Sequence, residues 1–387
     1  MALVLAATCT ACRPDPDRID SAESPCATAS EVDALHINQL QVVGSHNSYR
    51  RRTSAPILAF VQNMAMSLSS EIEPVSWDYD HPPLTDQLDR YRVDALEIDL
   101  FADPQGGRFY DRQGLRLVGE PVASNVAELR EPGFKVLHVP DFDFETHHYT
   151  FRSALRAIAA WSDGHPRHLP LFLHLETKEL TVADEVPGAG FTSAVPFDLP
   201  EADAIDAEIR SVFSDTSRII TPDEVRGARA TLEEAVLAGG WPTIAATRGR
   251  VLFFMEGPVV GPYVAGGPGL RGRLVFVSSR PGDAHAAVVL ANDSVGDQAK
   301  IADLVRRGYL VRTMADSGTF QARSGDETKM RAAVASGAQI VTTDYYRPDP
   351  RGETPGSGWT RYHVSLPGGG TTRTNPVSGG SGRRICE

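Results

Sequence analysis

Cysteine is absent from the whole interior of the chain. The four that occur, Cys9, Cys12, Cys26 and Cys386, sit at its ends. A thiol nucleophile or a Cys-ligated zinc in the core is therefore excluded. Lysine is scarce as well: only Lys135, Lys178, Lys300 and Lys329 occur. Cationic charge is outnumbered, with 38 Lys+Arg against 50 Asp+Glu and a net charge of −12. That balance argues against nucleic acid as a partner, because phosphate backbones need a basic face. It also argues against a polybasic membrane anchor. No apolar run approaches the roughly 18 residues that span a bilayer, so no transmembrane helix is expected. There is no internal repeat.

What remains is a globular composition, 41% hydrophobic and 23% charged over 387 residues. This length accommodates two domains, or one α/β barrel of about 250 residues with insertions. The stretch Met1 to Cys12 is short, apolar and ends in small residues, like the remains of a signal h-region. It lacks a basic n-region, so the true start lies upstream or the segment is trimmed. A small residue before Cys12 permits a lipid-modified cysteine, although Cys9 stands where a larger aliphatic residue is usual. Arg13 to Ser30 is rich in Pro, Asp, Ser and Ala and reads as a tether. Chain ends often lie close together. A Cys26–Cys386 disulfide is therefore one expectation and free thiols are the other; the disulfide fits an oxidising compartment. The expected location is secreted or envelope-associated, as a monomer.

Nine short apolar runs read as strands: Leu40–Gly44, Ala95–Phe101, Lys135–Val139, Pro170–Leu175, Arg250–Met255, Leu274–Ser278, Ala287–Ala291, Tyr309–Thr313 and Gln339–Thr343. Between them lie helical patterns at Leu84–Tyr91, Thr150–Trp161, Glu201–Phe213 and Asp297–Arg307. Apolar strands alternating with amphipathic helices predict an α/β fold with a parallel sheet. An eight-stranded barrel requires one surplus run, expected at Leu274–Ser278 or Ala287–Ala291; a doubly wound open sheet is the alternative. The expected division is a leader and tether over 1–30, a barrel over 31–350 with an insertion at about 179–246, and an irregular tail over 351–387.

Polar residues fall at the ends of these strands. His46 and Asn47 follow the first, Glu97 and Asp99 close the second, His138 closes the third, and Glu176 and Lys178 end the fourth. In a parallel barrel such ends share one face, where active sites form. Glu97 and Asp99 are two apart and share a side of the strand. Adjacent carboxylates repel unless a cation or proton lies between them. With Glu176 and the Asn47 amide oxygen they make an all-oxygen set suited to calcium or magnesium and not to zinc. The plain alternative is structural ion pairing with arginines. His46 and His138 would flank the cation, one accepting and one donating a proton. For His138 the plain alternative is a hydrogen-bonded core histidine, and for Lys178 a surface strand end. Lys178 otherwise offers a point charge to a phosphate. His174 either packs in the core or lines the barrel beside Glu176. Asp141 and Asp143 either orient His138 or only solvate its loop, and His81 suits helix entry as well as substrate contact.

The run His46-Asn47-Ser48-Tyr49, with Pro83-Leu84-Thr85-Asp86-Gln87-Leu88 leading into Leu96-Glu97-Ile98-Asp99, resembles the phosphatidylinositol-specific phospholipase C superfamily. It is most similar to the bacterial and fungal calcium-dependent family. The tail Arg373-Thr374-Asn375-Pro376-Val377 with a terminal cysteine is similar too, and the resemblance spans about Leu35 to Glu387. It implies a distorted TIM-like (β/α)8 barrel of the phospholipase C-like phosphodiesterase type, cutting a phosphodiester beside a free hydroxyl at a membrane surface. It implies His46 and His138 as the catalytic pair, and Asn47, Glu97, Asp99 and Glu176 as ligands for calcium in preference to magnesium. Lys178 would contact phosphate or an inositol hydroxyl, and Arg312, Asp344 and Tyr345 or Tyr346 the sugar. Arg50 stands where this family more often has histidine. The reaction implied is attack of the inositol 2-hydroxyl on phosphorus, with His46 or a carboxylate as base and His138 as acid. A glycerophosphodiester phosphodiesterase shares this barrel but typically begins His-Arg-Gly, where this chain has His46-Asn47-Ser48. A barrel that binds calcium and an inositol phosphate without turnover is the third reading.

Overall fold

The computed structural model describes residues 26–64 and 74–386. The leader-like segment, Cys12 and most of the tether lie outside the described residues. Eight parallel strands form the barrel: β1 (Leu40–Ser45), β2 (Ala95–Leu100), β3 (Leu171–Thr177), β4 (Val251–Glu256), β5 (Phe276–Val277), β6 (Val288–Leu290), β7 (Leu310–Met314) and β8 (Ile340–Thr343). Their order is β5-β4-β3-β2-β1-β8-β7-β6. The seam between β5 and β6 is narrow. A parallel bridge joins Ser278 to Val288, and the Ser279 amide donates to the Val288 carbonyl at 3.1 Å. The fold is thus a nearly closed, distorted TIM-type barrel, not an open sheet.

The surplus strand is not where the sequence pattern put it. Leu274–Ser278 and Ala287–Ala291 both supply barrel strands, whereas Lys135–Val139 does not. Lys135 folds back antiparallel against Phe101 and Thr150. Its ammonium is buried on the carbonyls of Glu131 and Gly133 and lies 3.2 Å from Asp103. Past it, Pro140 lacks an amide, Asp141 turns at φ 74°, and Val139 pairs locally with Asp143. A segment committed to those antiparallel contacts has no backbone left for a parallel neighbour.

The helices follow their apolar faces. Phe151–Gly164 starts at a Thr150 side chain that accepts from the Ser153 amide at 3.2 Å, and buries Phe151, Ala154, Leu155 and Ile158. Leu199–Val212, within the expected insertion, opens on an Asp198/Glu201 capping box and packs against the preceding helix. The insertion therefore carries a barrel helix between β3 and β4. Gly44 permits the tightest strand approach. A Cβ there would lie 2.8 Å from that of Ala95, its partner in the β1–β2 register.

The tail is less irregular than expected, because β9 (Thr372–Thr374) pairs antiparallel with β1. Cys26 and Cys386 form a disulfide with Cα atoms 5.9 Å apart. Beside it the Ala27 amide donates to the Arg384 carbonyl at 2.8 Å. The bond ties the segment before the first helix to the C-terminal segment, which pairs through Arg384 with Arg373 of β9, and is compatible with an extracellular protein. Its reduction, or Cys26→Ser, is expected to cost about 2–4 kcal/mol of stability. Thermal unfolding with and without reductant checks this. No helix among the described residues is long and apolar enough to cross a membrane.

Candidate active site

Barrel closure brings His46 to its partner. β1 pairs with β8 in the register Ser45 to Thr343, and the His46 amide donates to the Thr343 carbonyl at 3.0 Å. The next residue on each strand then meets the other: His46 Nδ1 lies 2.8 Å from Asp344 Oδ1. Asp316 fixes Asp344 in turn, accepting from its amide at 3.0 Å and from the Thr343 hydroxyl. His46 Nε2 faces Glu97, 3.7 Å from Oε1. Burial disfavours the imidazolium, but Asp344 and Glu97 outweigh it and push His46 up to about 9.

Carboxylates gather beside it. One oxygen from each of Glu97, Asp99 and Glu176 lies within 4.8 Å of the others. The β2–β3 register sets Asp99 opposite Glu176. Burial, with Glu176 and Glu97 adding and Lys178 opposing, pushes Asp99 up to about 7. A group so placed takes a proton or a cation. Asn47 stands beside His46, just past the end of β1. Its φ of 46° is costly for a non-glycine residue. Its Nδ2 donates to the Tyr79 hydroxyl at 3.2 Å, while its buried Oδ1 has no hydrogen-bond partner among the described residues. Asp99 Oδ1 is likewise unpartnered. Buried oxygens without donors, next to crowded carboxylates, fit a hard cation of the calcium type. Lys178 now supplies the positive charge, with Nζ 2.5 Å from Asp99 Oδ2 and 3.5 Å from Glu176 Oε2.

His138 arrives on the loop after β2, not on a strand. Its Nδ1 lies 2.7 Å from Asp143 Oδ2. Asp143 therefore contacts the imidazole and does more than solvate the loop. The same oxygen accepts from Arg50 Nε at 2.7 Å, and Thr53 donates to Asp143 Oδ1. Burial and Lys178 hold His138 down to about 4 despite Asp143. With Nδ1 engaged, Nε2 is the nitrogen free to exchange a proton. His138, Glu176 and Lys178 line a cleft of about 510 Å³ together with Trp77, Thr181 and Pro258.

The residues marked for sugar contact lie deeper than a sugar-binding role suggests. Arg312 reaches Glu97 Oε2 at 2.5 Å and Asn292 Oδ1 at 2.6 Å, so the ion-pair reading does hold for Glu97. Asp344 is committed to His46. Tyr345 is 2% exposed, its ring packed among Tyr79, Trp359 and Tyr362, and Tyr346 stacks on His81. His174 lines the interior, with Nδ1 3.2 Å from Glu97 Oε2 and Nε2 3.2 Å from Glu256 Oε1. His81 accounts for itself locally, its Nε2 lying 2.8 Å from the His46 carbonyl. Glu256, Tyr79 and Asp316 were not singled out in the sequence. Glu256 carried a usable signal, since it ends a barrel strand as Glu176 does. Tyr79 and Asp316 carried none.

Comparison with known proteins places this arrangement. The family described as "Phosphoinositide phospholipase C, Ca2+-dependent" matches residues 35–376. No curated protein sequence matches the chain. Among solved structures, a calcium-dependent phosphoinositol-specific phospholipase C from Pseudomonas sp., described with myo-inositol, is 14% identical. The match covers 89% of this chain and 96% of that one, with a TM-score of 0.52. A Ca2+-dependent phosphatidylinositol-specific phospholipase C from Streptomyces antibioticus is 19% identical over 81% of this chain and 96% of that one, with a TM-score of 0.49. At its identity the Pseudomonas structure speaks for the fold alone, and the family match, over most of the length, speaks for kinship. The chain belongs to the calcium-dependent phosphoinositide phospholipase C family, a family of phosphodiesterases.

Proposed function

We propose that the protein cleaves phosphatidylinositol, or a related inositol phosphodiester, to diacylglycerol and an inositol phosphate, with His46 and His138 as its acid–base pair. The observation that carries this reading is the pair of histidines, each fixed through Nδ1 by its own carboxylate, at the rim that holds Glu97, Asp99 and Glu176. Nucleophile and leaving oxygen both need a proton moved, and each imidazole keeps Nε2 for one of them. Asn47, Glu97, Asp99 and Glu176 would hold calcium, which when bound supplies positive charge against the phosphoryl oxygens. With the charge of Glu97 offset by a bound cation, His46 would ease back from about 9 toward its neutral form; in the reading proposed it, or a carboxylate beside it, takes the proton of the inositol 2-hydroxyl, and that oxygen attacks phosphorus. His138 is held down to about 4 in the free protein; the anionic phosphodiester beside it favours the imidazolium, which protonates the departing diacylglycerol oxygen. Lys178, freed from Asp99, pairs with the phosphate. The inositol head group is favoured by the Pseudomonas relative, whose structure is described with myo-inositol. Turnover of phosphatidylinositol followed by phosphorus NMR tests the reading: a cyclic inositol phosphate supports it, and a product formed only by water attack counts against it.

The substrate lies in a bilayer, and the rim has apolar side chains facing outward. Leu180 is 70% exposed on the loop leaving β3, and Phe320 is 61% exposed at the start of the short helix Phe320–Ser324 after β7. Phe320→Ser is expected to weaken vesicle binding about tenfold, since burying a side chain of this size is worth roughly 1.5–3 kcal/mol. Turnover of a soluble monomeric substrate should stay unchanged. Vesicle sedimentation beside a soluble assay checks this.

A further inference from the structure

Arg50 is fully buried, in a chain position three residues after Asn47. A cation without solvent must be matched by acceptors, and each of its three nitrogens has a defined target. Nε donates to Asp143 Oδ2 at 2.7 Å, one terminal nitrogen to the Tyr79 carbonyl at 2.8 Å, and the other to Thr53 Oγ1 at 3.1 Å and to the Trp77 carbonyl. The guanidinium carbon also lies 4.2 Å over the Tyr79 ring. Tyr79 accepts from Asn47 Nδ2, and Asp143 holds His138. One side chain thereby spans from the loop bearing a ligand oxygen to the histidine on the opposite loop.

We propose that Arg50 is a positioning residue for proton donation to the leaving group: it holds Asp143, and through it His138, in register with the Asn47 loop, and its charge offsets that of Asp143. This deepens the two-histidine reading and rests on it. A lone carboxylate would make His138 a weaker acid by favouring the imidazolium. Shared with a guanidinium, the same carboxylate fixes the ring while stabilising its charge less, and Asp143 itself is held down to about 2. The other charged groups lining the cleft with His138 are Lys178 and Glu176 from the end of β3, Glu179 just beyond it, and Glu185 at the end of the short helix Val182–Glu185; Trp77 meets the imidazole edge-on. In the step concerned, the phosphorus–oxygen bond to diacylglycerol breaks, its electron pair stays on that oxygen, and the proton on His138 Nε2 passes to it.

The test compares R50Q, R50K, D143N, the double variant R50Q/D143N and H138A on two substrates: phosphatidylinositol, and an inositol phosphate ester of p-nitrophenol, whose leaving group needs no proton. Arg50→Gln is expected to cut kcat at least tenfold on the lipid and less than threefold on the nitrophenyl ester, as His138→Ala does. The alkaline limb of kcat on the lipid should move up by about one pH unit in R50Q and down in D143N. Because a lone buried charge can unfold the site, R50K and the double variant accompany them. Lys retains the cation but not the fork, so its limb should stay near wild type while kcat falls. The double variant leaves neither charge unpaired. Equal losses on both substrates with unmoved limbs would overturn the proposal and leave Arg50 a structural residue. Full activity of H138A would instead bring down the two-histidine reading, and this inference with it.

Discussion

His138→Ala and His46→Ala are each expected to lower kcat on phosphatidylinositol by about 10²–10⁴-fold, the usual contribution of positioned proton transfer. The two should differ in detail. His138 borders the open cleft, and its ring pairs with Asp143 and meets Trp77, neither of them a proposed ligand, so its loss should leave calcium affinity near wild type. His46 faces Glu97, so its loss removes a positive partner from a proposed ligand and should alter calcium affinity as well. The double variant should be little worse than either single one, because the two act in one transition state. Steady-state kinetics beside calorimetric calcium titration reads all three. Wild-type turnover in both single variants would remove the acid–base assignment.

Asp99→Asn should have an effect of similar size by another route. Asp99 is buried, lies 2.5 Å from Lys178, and is crowded by Glu176 and Glu97. The amide removes one charge from a proposed calcium site and releases Lys178. Loss of calcium binding in the micromolar to millimolar range is expected, with a kcat loss of about 10³-fold, the several kcal/mol that metal charge contributes to such transition states. The variant relieves a crowded carboxylate but leaves Lys178 with only Glu176 at 3.5 Å, and its unfolding temperature, unlike that of the wild type, should no longer rise with calcium. Calorimetry with calcium and thermal unfolding in chelator separate the two effects. Unaltered calcium affinity in Asp99→Asn would move the site elsewhere.

Much of this was legible in the chain itself, for a physical reason. Strand alternation puts Glu97 with Asp99, and Glu176 with Lys178, on shared faces, and parallel strands end on one rim, so local periodicity sufficed to gather the acids. His46 and Asn47 were legible as the residues that follow the first strand. Asp344 was marked for sugar contact, and its contact with His46 was not foreseen. Its approach to His46 depends on β1 pairing with β8, between residues 298 apart in sequence, and no local pattern encodes that closure. His138 was placed at the right rim for the wrong reason. Val136-Leu137 looks like a strand, but the buried Lys135 and the turn at Asp141 divert the chain into a loop. Arg50 shows the same limit: a charged residue after a strand reads as solvated until packing reveals Asp143 beside it.

Calcium-dependent attack by the inositol hydroxyl is tested most directly by phosphorus NMR of products from phosphatidylinositol vesicles, with calcium and with chelator. A cyclic inositol phosphate that forms with calcium and vanishes with chelator is the predicted result. An acyclic phosphodiester product from water attack, or turnover indifferent to the chelator, would contradict it.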